Sequence, residues 1–320
     1  MSNIKQHTKE IEIKLWSLDD SPQTSTTKNE TINGLRKSTK NWDEDTRRKK
    51  FEKVQDLSLV SRSNVSNDEH SLKNVKLQHD LWNHIQEKIS EGIKDEKDKK
   101  EWDPIVDLLR KLREGVYATH WSYSDYSFAI KVFELSADCC VKAERYEELS
   151  KSLIGLLDHL YTKISTTCSQ RQSYYVVLSI LYHSCYLQNL KLAWRHVHYL
   201  DLNTHEGNFG KHLLKSISQE NPIHYFRLYH YNPYWTFKVL MNNYNDVMRR
   251  KAINTLRKAY LSTSISWIGQ WIGIYHDNNI VLKEMDRLVK PSCILSVDYE
   301  RQLVYFNRKK VADREKVIPN

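Results

Sequence analysis

Glycine and proline are scarce in this sequence, with only 8 glycines and 6 prolines among 320 residues. Both residues interrupt helices, and both are concentrated in the turns that join the strands of a sheet. Their scarcity favours long helices and leaves little for an α/β sheet.

Cysteine is also rare. The five cysteines form no CxxC pair, and the adjacent Cys139 and Cys140 cannot easily bond to each other. This pattern is typical neither of a disulfide framework nor of a zinc site, and it fits a reducing compartment. No apolar run reaches the ~18 residues of a membrane span, and the first residues carry no signal-peptide core. We therefore expect a nuclear or cytoplasmic protein without a membrane partner.

Signatures of catalysis and of metal binding are missing as well. The sequence contains no Walker loop, no GxGxxG and no GxSxG. His196 and His198 are two residues apart, so on a helix their side chains would point about 200° apart and could not chelate one ion. We predict that the chain is not an enzyme and that it has no cofactor and no metal site.

Polar and charged residues are distributed unevenly. Residues 1–78 contain few large apolar side chains, and we expect a mostly disordered polar arm there. Residues 151–320 carry 23 Lys and Arg against 12 Asp and Glu. This basic excess favours an anionic partner, either nucleic acid or an acidic protein.

Apolar residues at helical spacing dominate residues 79–245. One run places Leu149, Leu153, Leu156 and Leu160 on one face. Asp103 and Pro104 predict the start of another helix, with aspartate as the N-cap. The connections are short, so neighbouring helices should pack as antiparallel hairpins in a TPR-like repeat array.

Three further helices and a hairpin are predicted in residues 246–308. "CILSV" and "LVYFN" are rich in β-branched and aromatic residues and are separated by "DYERQ", which is typical of a β-hairpin. Ser264 is a candidate N-cap for the second helix. We predict an all-α fold: a helical repeat array that ends in a winged-helix subdomain, followed by a basic tail at 309–320.

The stretch "NPIHYFRLYHYNP" (221–233) combines aromatic and basic residues between two Asn-Pro pairs. Pro222 can start a helix, and Asn232 with Pro233 can end it. We expect most of its aromatic side chains to lie in the core. The candidates for contact with a partner are Tyr229, Tyr231 and Trp235, because tyrosine and tryptophan offer a large area with a polar tip.

Basic residues of the predicted winged helix form a candidate phosphate-binding stripe, which would hold nucleic acid without reading its bases. Glu284 and Asp286 lie on the same helix and disfavour such a surface, so a protein contact between two winged helices remains the alternative. The candidate nucleic-acid-binding residues are Arg249, Arg250, Lys251, Lys283, Arg287, Lys290, Arg308, Lys309 and Lys310.

Two stretches resemble the GANP-type branch (germinal-centre-associated nuclear protein) of the PCI-domain superfamily. The first, from Leu112-Arg113, contains a Val-Phe-Glu step at 132–134 and a Glu-Leu pair at 148–149. The second shows the aromatic-Phe-Arg-Leu step at 225–228, Pro233, Leu-Met at 240–241, an Arg-x-x-Ala stretch at 249–252 and Ala-Tyr at 259–260. The resemblance covers about residues 80–307.

This resemblance implies a PCI fold and a non-catalytic scaffold in a nuclear complex for mRNA export or transcript processing. The implied partners are a second PCI-domain subunit, a small acidic disordered subunit and RNA. Other branches of the superfamily imply alternatives: a subunit of a proteasome-lid, signalosome or initiation-factor assembly, or an adaptor at the centrosome and spindle, with a cytoplasmic location for some of them.

Overall fold

A computed structural model describes residues 71–92, 99–123, 126–163, 170–275, 277–290 and 293–307. Within these ranges the chain is mostly helical, and its β-structure is one three-stranded antiparallel sheet near the C-terminus. The predicted all-α class is confirmed. Residues 1–70 of the predicted polar arm and the predicted basic tail (309–320) lie outside the described residues.

The chain divides into two compact units, Met1–Tyr175 and Val176–Asn320, which we call unit 1 and unit 2. Unit 1 has a repeat-like pattern in which the first helix packs against the second, the second against the third and the third against the fourth. The fourth helix continues directly as a π-helix and a short 3-10 helix. The elements are α1 (Val75–Gly92), α2 (Lys99–Tyr123), α3 (Tyr126–Lys142), α4 (Tyr146–Ile154), the π-helix Gly155–Leu160, the 3-10 helix Tyr161–Lys163, and α5 (Gln170–Leu181), which spans the division.

The predicted start of α2 at Asp103 is wrong. The helix begins four residues earlier, at Lys99, and Pro104 lies inside it. A proline this close to the N-terminus removes only one early backbone hydrogen bond. The additional turn is stabilised by Trp102, which is buried and has the Lys142 ammonium 4.4 Å from its ring centroid.

Two ion pairs with buried carboxylates lie inside unit 1. Arg113 of α2 pairs with Glu148 of α4, and its guanidinium also donates to Ser152 Oγ over 2.8 Å. Glu134 of α3 pairs with Arg171 of α5 and accepts a hydrogen bond of 2.7 Å from the Tyr161 hydroxyl. Buried charges of this kind require partners, and here each pair links residues that are distant in the sequence.

Unit 2 continues the helical pattern through a further set of short and long helices. The predicted division between residues 245 and 246 falls inside the longest of the described ones, the helix Trp235–Ala259. The elements are the π-helix Tyr182–Tyr186, α6 (Leu190–Arg195), the 3-10 helix His196–Tyr199, α7 (His205–Ser218), α8 (Pro222–Tyr231) and α9 (Trp235–Ala259).

After α9, the described residues of unit 2 form one strand, two helices and two further strands. The elements are β1 (Ser262–Ser264), α10 (Ile265–Ile272), α11 (Asn278–Leu288), β2 (Ile294–Asp298) and β3 (Leu303–Phe306). The strands lie in the order β1-β3-β2 and both pairings are antiparallel, with Thr263 and Val297 on either side of Val304. The predicted hairpin is confirmed as β2 and β3, whereas β1 was not predicted.

One apolar core joins these last elements. The Ser264 hydroxyl accepts a hydrogen bond from Trp267 N, as expected for the N-cap of α10. The apolar faces of three helices and one strand meet beneath the sheet, and burial of this area stabilises their arrangement. The buried core residues are Ala252, Ile253, Leu256, Ile265, Ile268, Ile272, Val281, Met285, Val304 and Phe306.

The stretch 221–233 forms α8 and the turn into α9, as predicted. Asn221 caps the helix through its side chain, which accepts from His224 N, and Pro222 is the first helical residue. Tyr225 and Phe226 are fully buried. The Tyr225 hydroxyl donates to Met241 O over 2.8 Å, which fixes α8 against α9.

Gly273 ends α10 in a left-handed conformation, with φ at 72°. A Cβ at this position would lie 2.4 Å from the Phe226 ring. Only glycine satisfies both constraints without strain. None of the helices in the described ranges is both long enough and apolar enough to cross a membrane.

The buried Glu134 carboxyl generates a pH prediction. Burial raises its pKa from an ordinary 4.5 to about 7. The folded protein therefore binds this proton more tightly than the unfolded chain, so stability falls as the pH rises from about 4.5 to 7. At about 1.4 kcal/mol per pKa unit, the contribution is ~3 kcal/mol.

We expect Glu134→Gln, which cannot titrate, to gain stability relative to wild type as the pH rises through this window. Urea unfolding of both proteins at pH 5, 6, 7 and 8 measures the difference. A difference that does not change with pH would show that Glu134 keeps an ordinary pKa.

Candidate binding surface

Arg249 of α9 connects the helices around the predicted stripe. Its Nε–H donates to Ile272 O at the end of α10 over 3.1 Å. Its Nη1 lies 2.6 Å from Glu284 Oε1 on α11, and its guanidinium lies 5.7 Å from the centroid of the Phe226 ring on α8. With a side chain only 19% exposed, this residue contacts three other helices at once.

These contacts satisfy groups that the fold leaves open. The last carbonyls of a helix have no partner within the helix, and its C-terminus attracts positive charge. At the end of α10, Arg249 provides both a hydrogen-bond donor for the Ile272 carbonyl and a positive charge. One residue further on, His230 Nε2 lies 2.8 Å from Gly273 O, in a contact where the ring N–H donates. The turn after α10 is therefore held from α8 and from α9.

Arg287 of α11 is paired with two carboxylates. Its two terminal nitrogens donate to the two oxygens of Asp246 over 2.8 and 2.6 Å, and its Nε donates to Glu284 over 2.9 Å. Such forked contacts are the stronger form of ion pair. Hydrogen bonds from Arg287 lower the pKa of both Asp246 and Glu284, so both carboxylates stay charged at neutral pH.

The predicted basic stripe thus divides into two groups. One group forms ion pairs with carboxylates: Arg249 with Glu284, Arg287 with Asp246, and Lys251 with Glu220, whose carboxylate lies 2.7 Å from the ammonium. The other predicted side chains within the described ranges are exposed and form no ion pair with any described residue; they are Arg250, Lys283 and Lys290. Arg308, Lys309 and Lys310 lie outside the described residues.

Arg250 and Lys283 lie beside this ionic network. The charge of Arg250, four residues after Asp246, contributes to the low pKa of that carboxyl. Lys283 is one helical turn before Arg287 on α11. The neighbouring faces of α9 and α11 therefore carry the exposed cations Arg250 and Lys283 beside the paired Arg287 and Asp246, together with the exposed carboxylate of Asp286.

The three aromatic candidates differ in their surroundings. Tyr231 is 84% exposed at the end of α8. The Tyr229 hydroxyl donates to Asn242 of α9 over 2.6 Å, so this ring is partly committed to packing. Trp235 is half-buried at the first residue of α9. Tyr231 is thus the candidate whose geometry leaves most of its ring accessible.

Tyr231 has an aromatic neighbour that the sequence did not indicate. Burial raises the pKa of Tyr275, and the Tyr231 phenol and the Arg227 guanidinium both lie close enough to influence it. The Tyr275 ring also packs edge-on against His230, with centroids 4.9 Å apart. Tyr231 and Tyr275 are both exposed, and together with Arg227 they form a mixed aromatic and basic surface.

Asp246 and Glu220 were missed as partners of the predicted cations. A signal existed for Asp246, because it stands three residues before Arg249 and four before Arg250, the spacing of helical ion pairs. No local spacing relates Glu220 to Lys251, which belongs to a different helix. Among the described residues, no group of three or more histidine, cysteine, aspartate or glutamate side chains is placed to hold a metal ion.

Comparison with known proteins adds no identification, since no protein-family model and no curated protein matches the chain.

Arg249 and Arg250 form a matched pair for a test of role, because they are adjacent and chemically identical. Removing Arg249 leaves Glu284 and the end of α10 without a partner. We expect Arg249→Leu to lower the free energy of unfolding by about 2–3 kcal/mol, whereas Arg250→Leu should change it by less than ~0.5 kcal/mol. Urea denaturation of the full chain measures both. Equal effects would contradict the assignment of Arg249 as the structural member.

Proposed function

We propose that the chain is a PCI-type protein of the GANP branch and acts as a non-catalytic scaffold in a nuclear complex for mRNA export or transcription-coupled mRNA processing. The observation that carries the proposal is the order α9, β1, α10, α11, β2, β3 with the sheet order β1-β3-β2. This order is the one expected of a winged helix, and it follows helical hairpins as the PCI resemblance implies, so it supports the proposal.

The residues that carry the resemblance contact one another, which supports this interpretation. Within the second stretch, the Tyr225 hydroxyl donates to the carbonyl of Met241 in the Leu-Met pair. Phe226 packs against the guanidinium of Arg249, which begins the Arg-x-x-Ala motif. In unit 1, Arg113 of the Leu-Arg pair binds Glu148 of the Glu-Leu pair. Such contacts are expected if the residues of the motifs stabilise a fold that is common to the family.

The proposed mechanism is positional. The winged helix would pair with a second PCI-domain subunit. The excess of 23 basic over 12 acidic residues in 151–320 would attract a small acidic disordered subunit by charge. Tyr231 and Tyr275 are suited to a protein contact, because exposed tyrosine rings are enriched at the centres of interfaces.

RNA would be held by the exposed cations at α9 and α11. Arg250, Lys283 and Lys290 are the described side chains of the stripe that are exposed and form no ion pair with a described carboxylate. Contacts of this kind bind phosphates, tolerate any sequence and weaken with salt.

A second candidate function is favoured by the ion pairs that Arg249, Arg287 and Lys251 form with carboxylates. In that candidate the winged helix makes protein contacts only, as in a subunit of a proteasome-lid, signalosome or initiation-factor assembly or in an adaptor at the centrosome. The chain would then carry no RNA, and its location could be cytoplasmic.

A tagged pull-down at moderate salt, followed by mass spectrometry and RNA quantification, separates the two. We expect recovery of a second PCI subunit, a small acidic subunit and RNA. The triple variant Arg250→Gln, Lys283→Gln, Lys290→Gln should keep the protein partners and lose RNA. With purified protein, the slope of log affinity against log salt should fall by about 2, given ~0.7 per phosphate contact on a single strand.

The matched control is Lys258→Gln combined with Lys211→Gln, two exposed lysines that lie outside the stripe. Recovery of lid or signalosome subunits without RNA would overturn the export proposal in favour of the second candidate. RNA retained equally by the triple variant and the control would overturn the role assigned to these three cations.

A further inference from the structure

Six aromatic and imidazole rings in unit 2 form an unbroken series of contacts, which we call the ring strip. They come from two short helices separated in the sequence, the π-helix Tyr182–Tyr186 and the 3-10 helix His196–Tyr199. α6 lies between them and packs against the π-helix. The members of the strip are Tyr186, Tyr182, His183, His196, Tyr199 and His198.

The centre of the strip is a stacked pair of imidazoles. The ring centroids of His183 and His196 are 5.1 Å apart and their planes differ by only 8°. Burial lowers the pKa of His183 to about 4, with a further contribution from His196. The His183 ring is therefore neutral at pH 7, and the stacked pair does not suffer the repulsion of two charges.

Each end of the strip reaches the surface. On one side Tyr182 stacks on Tyr186 with a centroid distance of 5.6 Å, and Tyr186 is 39% exposed. On the other side the ring centroids of His198 and Tyr199 are 3.9 Å apart, and Tyr199 is 38% exposed. Trp194, on the helix that joins the two ends, is 44% exposed. Tyrosine and tryptophan combine a large ring with a polar tip, so a series of rings with accessible ends is suited to contact with a partner.

The charged side chains of the segment that carries these rings have one sign. Residues 182–200 contain no aspartate or glutamate, and they carry Lys191 and Arg195, both of which are exposed. The next acid along the chain, Asp201, accepts a hydrogen bond from Asn203 N in the turn that follows. A partner that contacts this segment therefore meets rings and cations whose charge the segment itself does not compensate.

Single-stranded nucleic acid combines the two complementary features, since its bases are flat rings and its backbone is anionic. Proteins that bind single strands without sequence preference pair stacking rings with basic side chains, because every base has a π-face. An acidic peptide would satisfy the cations but would leave the rings without stacking partners. The surface therefore fits a nucleic-acid strand better than it fits an acidic protein.

We propose that the ring strip, with Lys191 and Arg195, is a stacking site for single-stranded RNA in which Tyr186 and Tyr199 each contact a base. The strip shares no residue with the stripe at α9 and α11. It deepens the proposed function by giving the RNA a second, base-contacting site, and it can be tested separately.

The test measures binding of the full chain to a fluorescent oligouridylate of about twelve nucleotides, a length within the usual site size, by anisotropy. We expect Tyr186→Ala with Tyr199→Ala to weaken binding about a hundredfold, or about tenfold per ring. The matched control is Tyr186→Phe with Tyr199→Phe. It keeps both rings and should stay within about twofold of wild type.

Comparison with Arg250→Gln and Lys283→Gln separates the two sites. If only the Tyr186→Ala, Tyr199→Ala variant binds more weakly, the result supports the ring strip and counts against the basic stripe at α9 and α11. If only the charge variants bind more weakly, the inference of the ring strip is overturned. An alanine pair that binds the oligonucleotide like wild type but loses a protein in the pull-down would show that the strip is a protein interface, and would also overturn the inference.

A second measurement needs no substitution and so does not depend on the folding of a variant. The wild-type chain is irradiated with an oligonucleotide that carries 5-bromouridine, and the cross-linked peptides are identified by mass spectrometry. We expect cross-links at Tyr186, Trp194 or Tyr199. Cross-links confined to peptides outside 182–200 would overturn the inference.

Discussion

The partly buried guanidinium of Arg249 is the contact on which the arrangement of the last helices depends. It lies on α9, donates to the end of α10, pairs with Glu284 of α11 and packs against the Phe226 ring of α8. The apolar core beneath the sheet brings these elements together without strong direction, because burial of apolar area is not directional. The geometry of a planar, forked cation is directional. It therefore fixes how the helices that carry the exposed cations are placed.

Charge in this chain has two separate uses, and burial distinguishes them. Cations with low exposure or with forked contacts, such as Arg113, Arg171 and Arg249, join elements that are distant in the sequence. Cations without described carboxylate partners, such as Arg250 and Lys283, remain available to a ligand. A net charge computed from the sequence counts both groups equally, and it therefore overstates the charge that a phosphate backbone would meet.

The sequence predicted the helices and the hairpin because their signals are local. Asn221 with Pro222 and the cap at Ser264 act within one turn, and the alternation of Val304 and Phe306 in the core places β3. The strand β1 was missed because Ser262–Ser264 is short and polar and forms only by pairing with β3. The candidate site was predicted from its residue types, but the sequence did not show which of these cations are exposed and which are paired with carboxylates. Whether Arg249 or Arg250 reaches a carboxylate depends on which face of α9 meets α11, and that is set by tertiary packing.

The most direct test of the central role of Arg249 is a double-mutant cycle with Glu284. The free energy of unfolding is measured by urea denaturation for wild type, Arg249→Leu, Glu284→Gln and the double variant. If the pair fixes the helices, the single changes should not be additive, and the coupling energy should be about 2 kcal/mol, within the range for residues in direct contact. A coupling below ~0.5 kcal/mol would show that the apolar core alone sets the arrangement, and it would contradict the central role of Arg249.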